Sequence, residues 1–334
     1  MRASFRDYTE QEDWLNAARN ASNLSELELT LGEVAGALGH AEQFVTYAEH
    51  AGDAFIRETS AARLGDALHQ AGRLAEAETL FREAEQMQAE SQPYHPLLYS
   101  VSGFQYCDLL LAAPERASLQ MVLHRTGFQA VKTSMAHGQD ARATCRGVFQ
   151  RAAQTLKWVT DGDLGILTIA LNHLTLGRAA LYSFTLDPTS MGDRQLAIEN
   201  VAAAVAGLRR AGTIYELPRG LLIRAWLRFL TGARTGPESA QEDLDEAWEI
   251  AERGPMRLFM ADIHLYRARL FGPVSGKMVD DANRIEYPWN KNPDGSPRGA
   301  KDDLAAARKL IEQCGYWRRK EELEDAEAAA KNWE

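Results

Sequence analysis

Residues Phe55–Met87 read FIRETSAARLGDALHQAGRLAEAETLFREAEQM, and this stretch sets how the rest of the chain is understood. Leu64, Leu68, Leu80 and Phe81 recur at helical steps and form an apolar stripe on each of two segments. Gly65 and Ala77 are small where two helices must cross, so the backbones can approach while the larger residues fill the space between them. Gly72 with Arg73 ends the first segment, because glycine takes the left-handed cap conformation without strain. The spacing therefore predicts a helical hairpin. A single hairpin cannot bury both of its apolar faces, so this unit calls for neighbours stacked on either side.

The rest of the chain supplies them. Trp14, Ala17, Leu24, Leu27, Leu31, Val34 and Leu38 make one helical stripe, predicted as a single helix over residues 10–36. Ala41, Phe44, Val45, Ala48 and Ala51 make the next, closed by Gly52, and the two form a first hairpin ahead of the organising one. After QPYHP comes LLYSVSGFQYCDLLLA, with its partner placed at residues 143–160 through Val148, Ala152, Leu156 and Val159. Asp163 is read as the cap of ILTIALNHLTLGRAALYSF, which pairs with RQLAIENVAAAVAGLRRAG. LPRGLLIRAWLRFLTG pairs with ESAQEDLDEAWEIAERG, and MRLFMADIHLYRARLFG with AKDDLAAARKLIEQCG. Two insertions interrupt the pattern, at about 113–142 and 273–299. The second is rich in Pro, Gly and Asn and cannot continue a helix. A charged helix at about 316–332 is expected to cap an open end with a polar outer face.

Composition fits that reading. The 334 residues are 45% hydrophobic and 25% charged, as for an ordinary soluble globular chain, and no stretch is apolar enough to span a membrane. The start, MRASFRDYTEQEDW, has no apolar signal core, so a cytoplasmic location is expected. Cys107, Cys145 and Cys314 stand at no disulfide or metal spacing and are expected to be inert thiols. A net charge of −10 argues against a general nucleic-acid binder and leaves the first insertion, which is locally basic, as the one exception.

Leu64-Gly65, Leu68, Gly72, Ala77, Phe81 and Ala84 resemble the tetratricopeptide pattern, W-x2-L-G-x2-Y followed by A-x3-F and a closing small residue. Ala61 stands in the Trp place, and the closing Pro does not come until Pro93. Tyr99, Gly103 and Tyr106 repeat the pattern, as does the Leu176-Gly177 pair; Leu244, Trp248 and Ala251 repeat it with Leu in the Ala place. The runs ASNLSELELTLG, ALNHLTLGRAAL and DLDEAWEIAERGPMRL resemble the tetratricopeptide tails of bacterial STAND-type signalling NTPases and related conflict or antiphage-defence proteins. The resemblance implies an all-α solenoid, a right-handed superhelix of about six hairpins plus a C-terminal capping helix, forming one domain over residues 1–334. It also implies a sensing or scaffolding role beside an effector such as a protease, nuclease or NTPase. The nucleotide-binding domain that such tails follow has no counterpart in this sequence.

Two surfaces are candidates for a protein partner, a peptide or self-association. The groove lined by the first helices would present Asp66, His69, Gln70, Asp108, Arg178, Tyr182 and Arg224. Mixed signs there make no carboxylate clamp, and a hydrated empty groove is an equal reading. The insertions would project from one edge and offer Arg116, Arg125, Lys132 and Arg142 in the first and Tyr287 and Trp289 in the second, aromatic loop residues being frequent interface anchors. A few loop arginines are more often simply solvated, and Tyr287 and Trp289 could fold back instead.

Catalytic motifs fail on inspection. GPVSGKM at residues 272–278 has three residues between its glycines and Met after Lys, so it cannot be a phosphate-binding loop. No HExxH and no G-x-S-x-G occurs, and His173 on an apolar helix reads as a core residue. No catalytic residue, cofactor or metal site is expected. The sequence predicts a non-catalytic scaffold or sensor subunit, with a peptide-responsive regulator that changes curvature as the alternative.

Overall fold

The computed structural model describes residues 8–124, 134–275, 286–291 and 295–333, and over these the protein is all-α. The organising hairpin forms where the pattern places it, as α3 (Ala54–Gln70) and α4 (Leu74–Ser91), preceded by α1 (Trp14–Leu31) and α2 (Val34–Ala51). Phe81 and Ala77 are fully buried between α3 and α4. A Cβ on Gly65 would meet the Phe81 ring at 3.1 Å, so the close approach inferred for this glycine is real. Gly72 at φ +76° lets its own N–H and that of Arg73 close on His69 and Leu68 carbonyls, both at 2.9 Å.

The single helix predicted over residues 10–36 is in fact two. Gly32 at φ +83° stops α1, and after Glu33 the next helix, α2, opens at Val34 two residues later. The apolar stripe runs through this break because both helices bury residues against the same neighbours, so periodicity alone could not see it.

The chain continues as α5 (Ser100–Leu110), α6 (Ala112–His124) and α7 (Ser134–Asp161). Much of the insertion expected at 113–142 is therefore helical, and α6 packs on α7 and on α8 (Ile166–Leu186). The α7 helix begins nine residues before the predicted start at 143. Asp163 sits at φ +49° and caps nothing; Gly165 precedes α8.

The remaining pairs match their expected segments: α8 with α9 (Met191–Ala211), α10 (Leu217–Thr231) with α11 (Ala240–Arg253), and α12 (Arg257–Phe271) with α13 (Ala300–Cys314). The chain ends in a 3-10 turn, Trp317–Arg319, and α14 (Lys320–Ala330). Among the described residues no helix is long and apolar enough to cross a membrane.

The C-terminal elements reach back to earlier parts of the chain. The α14 helix packs on α6 and α12, the Trp317–Arg319 turn packs on α3, and α12 reaches α1. A Cβ on Gly72 would lie 2.9 Å from the Trp317 Cβ, and one on Gly32 2.7 Å from the Arg257 Cβ. The last elements thus close onto the first. Leu323, Ala326 and Ala330 on α14 are buried in one apolar cluster with Ala261, Leu265 and Ala268 of α12 and Leu304, Ala307 and Ile311 of α13, which is why a helix rich in Glu and Ala folds here.

Candidate functional site at the closure

A cavity of about 110 Å³ lies among α1, α3, α5, α6, α8, α10, α12 and the Tyr316–Arg319 segment. At roughly 10–15 Å³ for each water in this measure, it holds several waters or one small organic molecule. Of the seven predicted groove residues, Asp66, Gln70, Asp108 and Arg178 line it. Tyr182 lies just beneath, its hydroxyl accepting from Arg178 Nε at 3.2 Å. His69 is fully buried 3.8 Å from Asp108, too far for a hydrogen bond. Burial, with Arg318 adding to it, holds the His69 imidazole well below its usual pKa, so the ring is neutral and makes no ion pair. Arg224 is elsewhere: it clamps Asp243 of α11 with bonds of 2.6–3.1 Å and faces its own hairpin partner.

What the groove prediction lacked is the set of groups that the closing segment brings in. Arg318 binds both oxygens of Asp108, the Nη2–Oδ1 bond measuring 2.9 Å. Arg319 donates to Asp262 at 2.8 Å, to Glu115 at 3.0 Å and to Glu322 at 2.6 Å. Arg178 reaches Asp108 at 2.6 Å and Glu115 at 3.2 Å, and Tyr316 donates to Asp262 at 3.1 Å. With Arg269 of α12, which also binds Glu322, four arginines and four carboxylates from α5, α6, α8, α12, the C-terminal turn and α14 thus form one buried network. Isolated buried charges would be prohibitively costly, so each is retained only because it is paired and hydrogen-bonded.

The titration behaviour follows from this geometry. Burial pushes the Asp108 carboxyl up, but Arg318 and Arg178 outweigh it and hold the group well below the usual carboxylate range. Glu115 is likewise raised by burial and brought down to about 2 by Arg319, Arg178 and Arg318. Asp66 behaves oppositely: burial raises it, and Arg63, the Gln70 hydrogen bond and Arg219 offset this only in part. Its oxygens accept from the side-chain amides of Gln70 at 2.9 Å and Gln105 at 2.8 Å.

The insertion residues turn inward or pair within the chain. Arg116 grips Asp325 of α14 at 2.6 and 3.1 Å and also bonds Glu321, tying α6 to the C-terminal helix. Arg142 pairs with Asp187 at 2.9 Å. Tyr287 is buried with its hydroxyl on Asp303. Trp289 donates to Asp245 at 2.6 Å, its ring 4.4 Å from the Arg267 guanidinium and 5.2 Å from Phe271. The two aromatics therefore serve as anchors of their own loop rather than as a presented docking surface. Arg125 and Lys132 lie outside the described residues.

Cys107 and Cys145 are buried, and burial pushes both thiols up to about 12, far from the range of a reactive thiolate. Among the described residues no group of three or more His, Cys, Asp or Glu side chains could hold a metal ion.

No protein-family model and no curated protein matches this chain.

Proposed function

We propose that this chain is a non-catalytic binding module, a tetratricopeptide-like right-handed superhelix whose groove is clasped by its own C-terminal segment and which works as a sensor. The observation that carries the reading is the insertion of Arg318 and Arg319 between Asp108 of α5 and Glu115 of α6, both more than 200 residues distant along the chain, and Asp262 of α12. A groove used as an open dock for a long partner tail would have to expel this segment and strand its charges. A groove that takes a small ligand and passes the effect to the clasp needs no such rearrangement. The sensor reading is therefore preferred over the open scaffold, and the peptide-responsive regulator survives in it as a change of curvature through the clasp.

By the resemblance of its helical runs, the protein that reads this state would be an effector in a bacterial signalling or defence assembly. The test is to express the tagged chain together with its neighbouring genes, as wild type and as Arg318→Ala/Arg319→Ala. A sensor whose clasp is read by the effector retains it to different extents in the two forms. Equal retention, or retention by neither, contradicts the proposal.

A further inference from the structure

Of the six carboxylates lining the cavity, five are ion-paired. Glu26 holds Arg63 at 3.0 Å, Glu216 holds Arg219 at 2.6 Å, and Asp108, Glu115 and Asp262 share Arg178, Arg318 and Arg319. Asp66 alone has no ion pair among the described residues, although it is only 6% exposed and its two partners are neutral amides. A carboxyl buried to this degree takes either a proton or a cation: burial raises its pKa, Arg63 and Arg219 offset this only in part, and the space beside it, where a cation would hold it ionised, is cavity. The same cavity is also lined by Phe104, Leu222, Ile223 and Phe259. The Arg219 guanidinium lies 5.6 Å from the Phe104 ring and 5.3 Å from that of Phe259, so this part of the wall already has its own cation.

We infer that the cavity is a binding site for a small aliphatic monoammonium cation, with Asp66 as its counter-ion and the Phe104–Leu222–Phe259 wall receiving the alkyl body. Ammonium donors reach the Asp66 lone pairs left free by Gln70 and Gln105, since an ionised carboxylate offers about four acceptor sites. Glu26 and the exposed Tyr215 form the solvent-facing rim through which the cation enters. A dication is disfavoured, because the other acids of the lining are already committed to arginine.

The inference deepens the sensor reading by naming the ligand class. The test is calorimetric titration of the intact chain with n-butylammonium, n-butanol and n-butyrate, repeated with Asp66→Asn. Expected are saturable binding of n-butylammonium, at least roughly tenfold weaker binding of the isosteric alcohol and of the anion, and a loss of roughly tenfold or more in Asp66→Asn. No ammonium binding, equal binding of the alcohol, or undiminished binding by folded Asp66→Asn would each overturn it. Should Asp66→Asn not fold, the ammonium-to-alcohol ratio on the wild-type chain decides alone. Recovery of the amine is followed by NMR in the same samples: a consumed amine contradicts the non-catalytic reading, whereas absent binding contradicts only this inference.

Discussion

The α3–α4 hairpin and the closing segment 316–330 are both buried, yet different physics holds them. The hairpin is an apolar interlock: Phe81 and Ala77 fill the space that Gly65 opens, and Tyr106 of α5 stacks on Phe81 with centroids 5.2 Å apart. The closing segment is fixed by guanidinium–carboxylate pairs reaching across the whole chain, with a smaller apolar seam from Leu323, Ala326 and Ala330. Apolar contacts are tolerant of geometry and form locally. A buried ionic network is stable only when every member is present, and it fails abruptly when one is removed. The same molecule therefore joins a robust stack to a closure poised to respond to a change in charge.

The largest expected effects separate these two kinds of burial. Phe81→Ala should cost about 3–5 kcal/mol in denaturant unfolding, as for other deeply buried aromatics, and lower the stability of the whole stack. Arg319→Ala leaves Asp262, Glu115 and Glu322 short of their shared cation and should cost a comparable ~3–5 kcal/mol. Its signature differs, however: the radius of gyration in solution should grow while α3–α4 stays folded. If both variants unfold as one unit with no expansion, the distinction between stack and closure is wrong.

Acid should act on the closure first. Asp108 and Glu115 have lowered pKa values in the fold, so their contribution is present above the ordinary carboxylate range and is lost as pH falls toward about 2. Proteolysis between residues 315 and 333 should accelerate on lowering the pH through that window, before circular dichroism reports loss of α3 and α4.

Two glycines sharpen the comparison further. Gly32 and Gly52 both end helices at positive φ, +83° and +69°, so alanine at either costs about 1–2 kcal/mol of backbone strain. A Cβ at Gly52 meets nothing within 4 Å, whereas at Gly32 it meets Arg257 at 2.7 Å and Cys314 at 2.9 Å. Gly32→Ala should therefore be the more destabilising in thermal unfolding, and the excess measures the contact between the two ends of the chain. Equal melting shifts would mean that this contact carries no energy. Smallest of all is Arg116→Ala, a partly exposed clamp on Asp325 and Glu321, for which about 0–1 kcal/mol is expected in the same assay.

Local interactions were readable in the sequence, and distant ones were not. The ends of α3 and α4 follow from Gly72 and the Leu-Gly pair, because the forces that place them act within a few residues. The break at Gly32 hides inside an unbroken stripe, and α6 hides because Pro114 and the charges around it resemble a loop, although proline is tolerated in a first helical turn. Asp66, Gln70, Asp108 and Arg178 could be assigned to one face by spacing alone. Arg318 and Arg319 could not, because the sequence YWRRKEELED reads as a solvated end unless the buried acids waiting some 200 positions earlier are already known.

Native-state hydrogen exchange on the intact chain tests the closure most directly. The account predicts that the amides of Arg319 and of α14 are protected to a degree approaching those of α3, and that Asp108→Asn lowers protection at 317–330 while leaving α3–α4 slow. Rapid exchange throughout 317–330 in the wild-type chain, with α3–α4 fully protected, would contradict it.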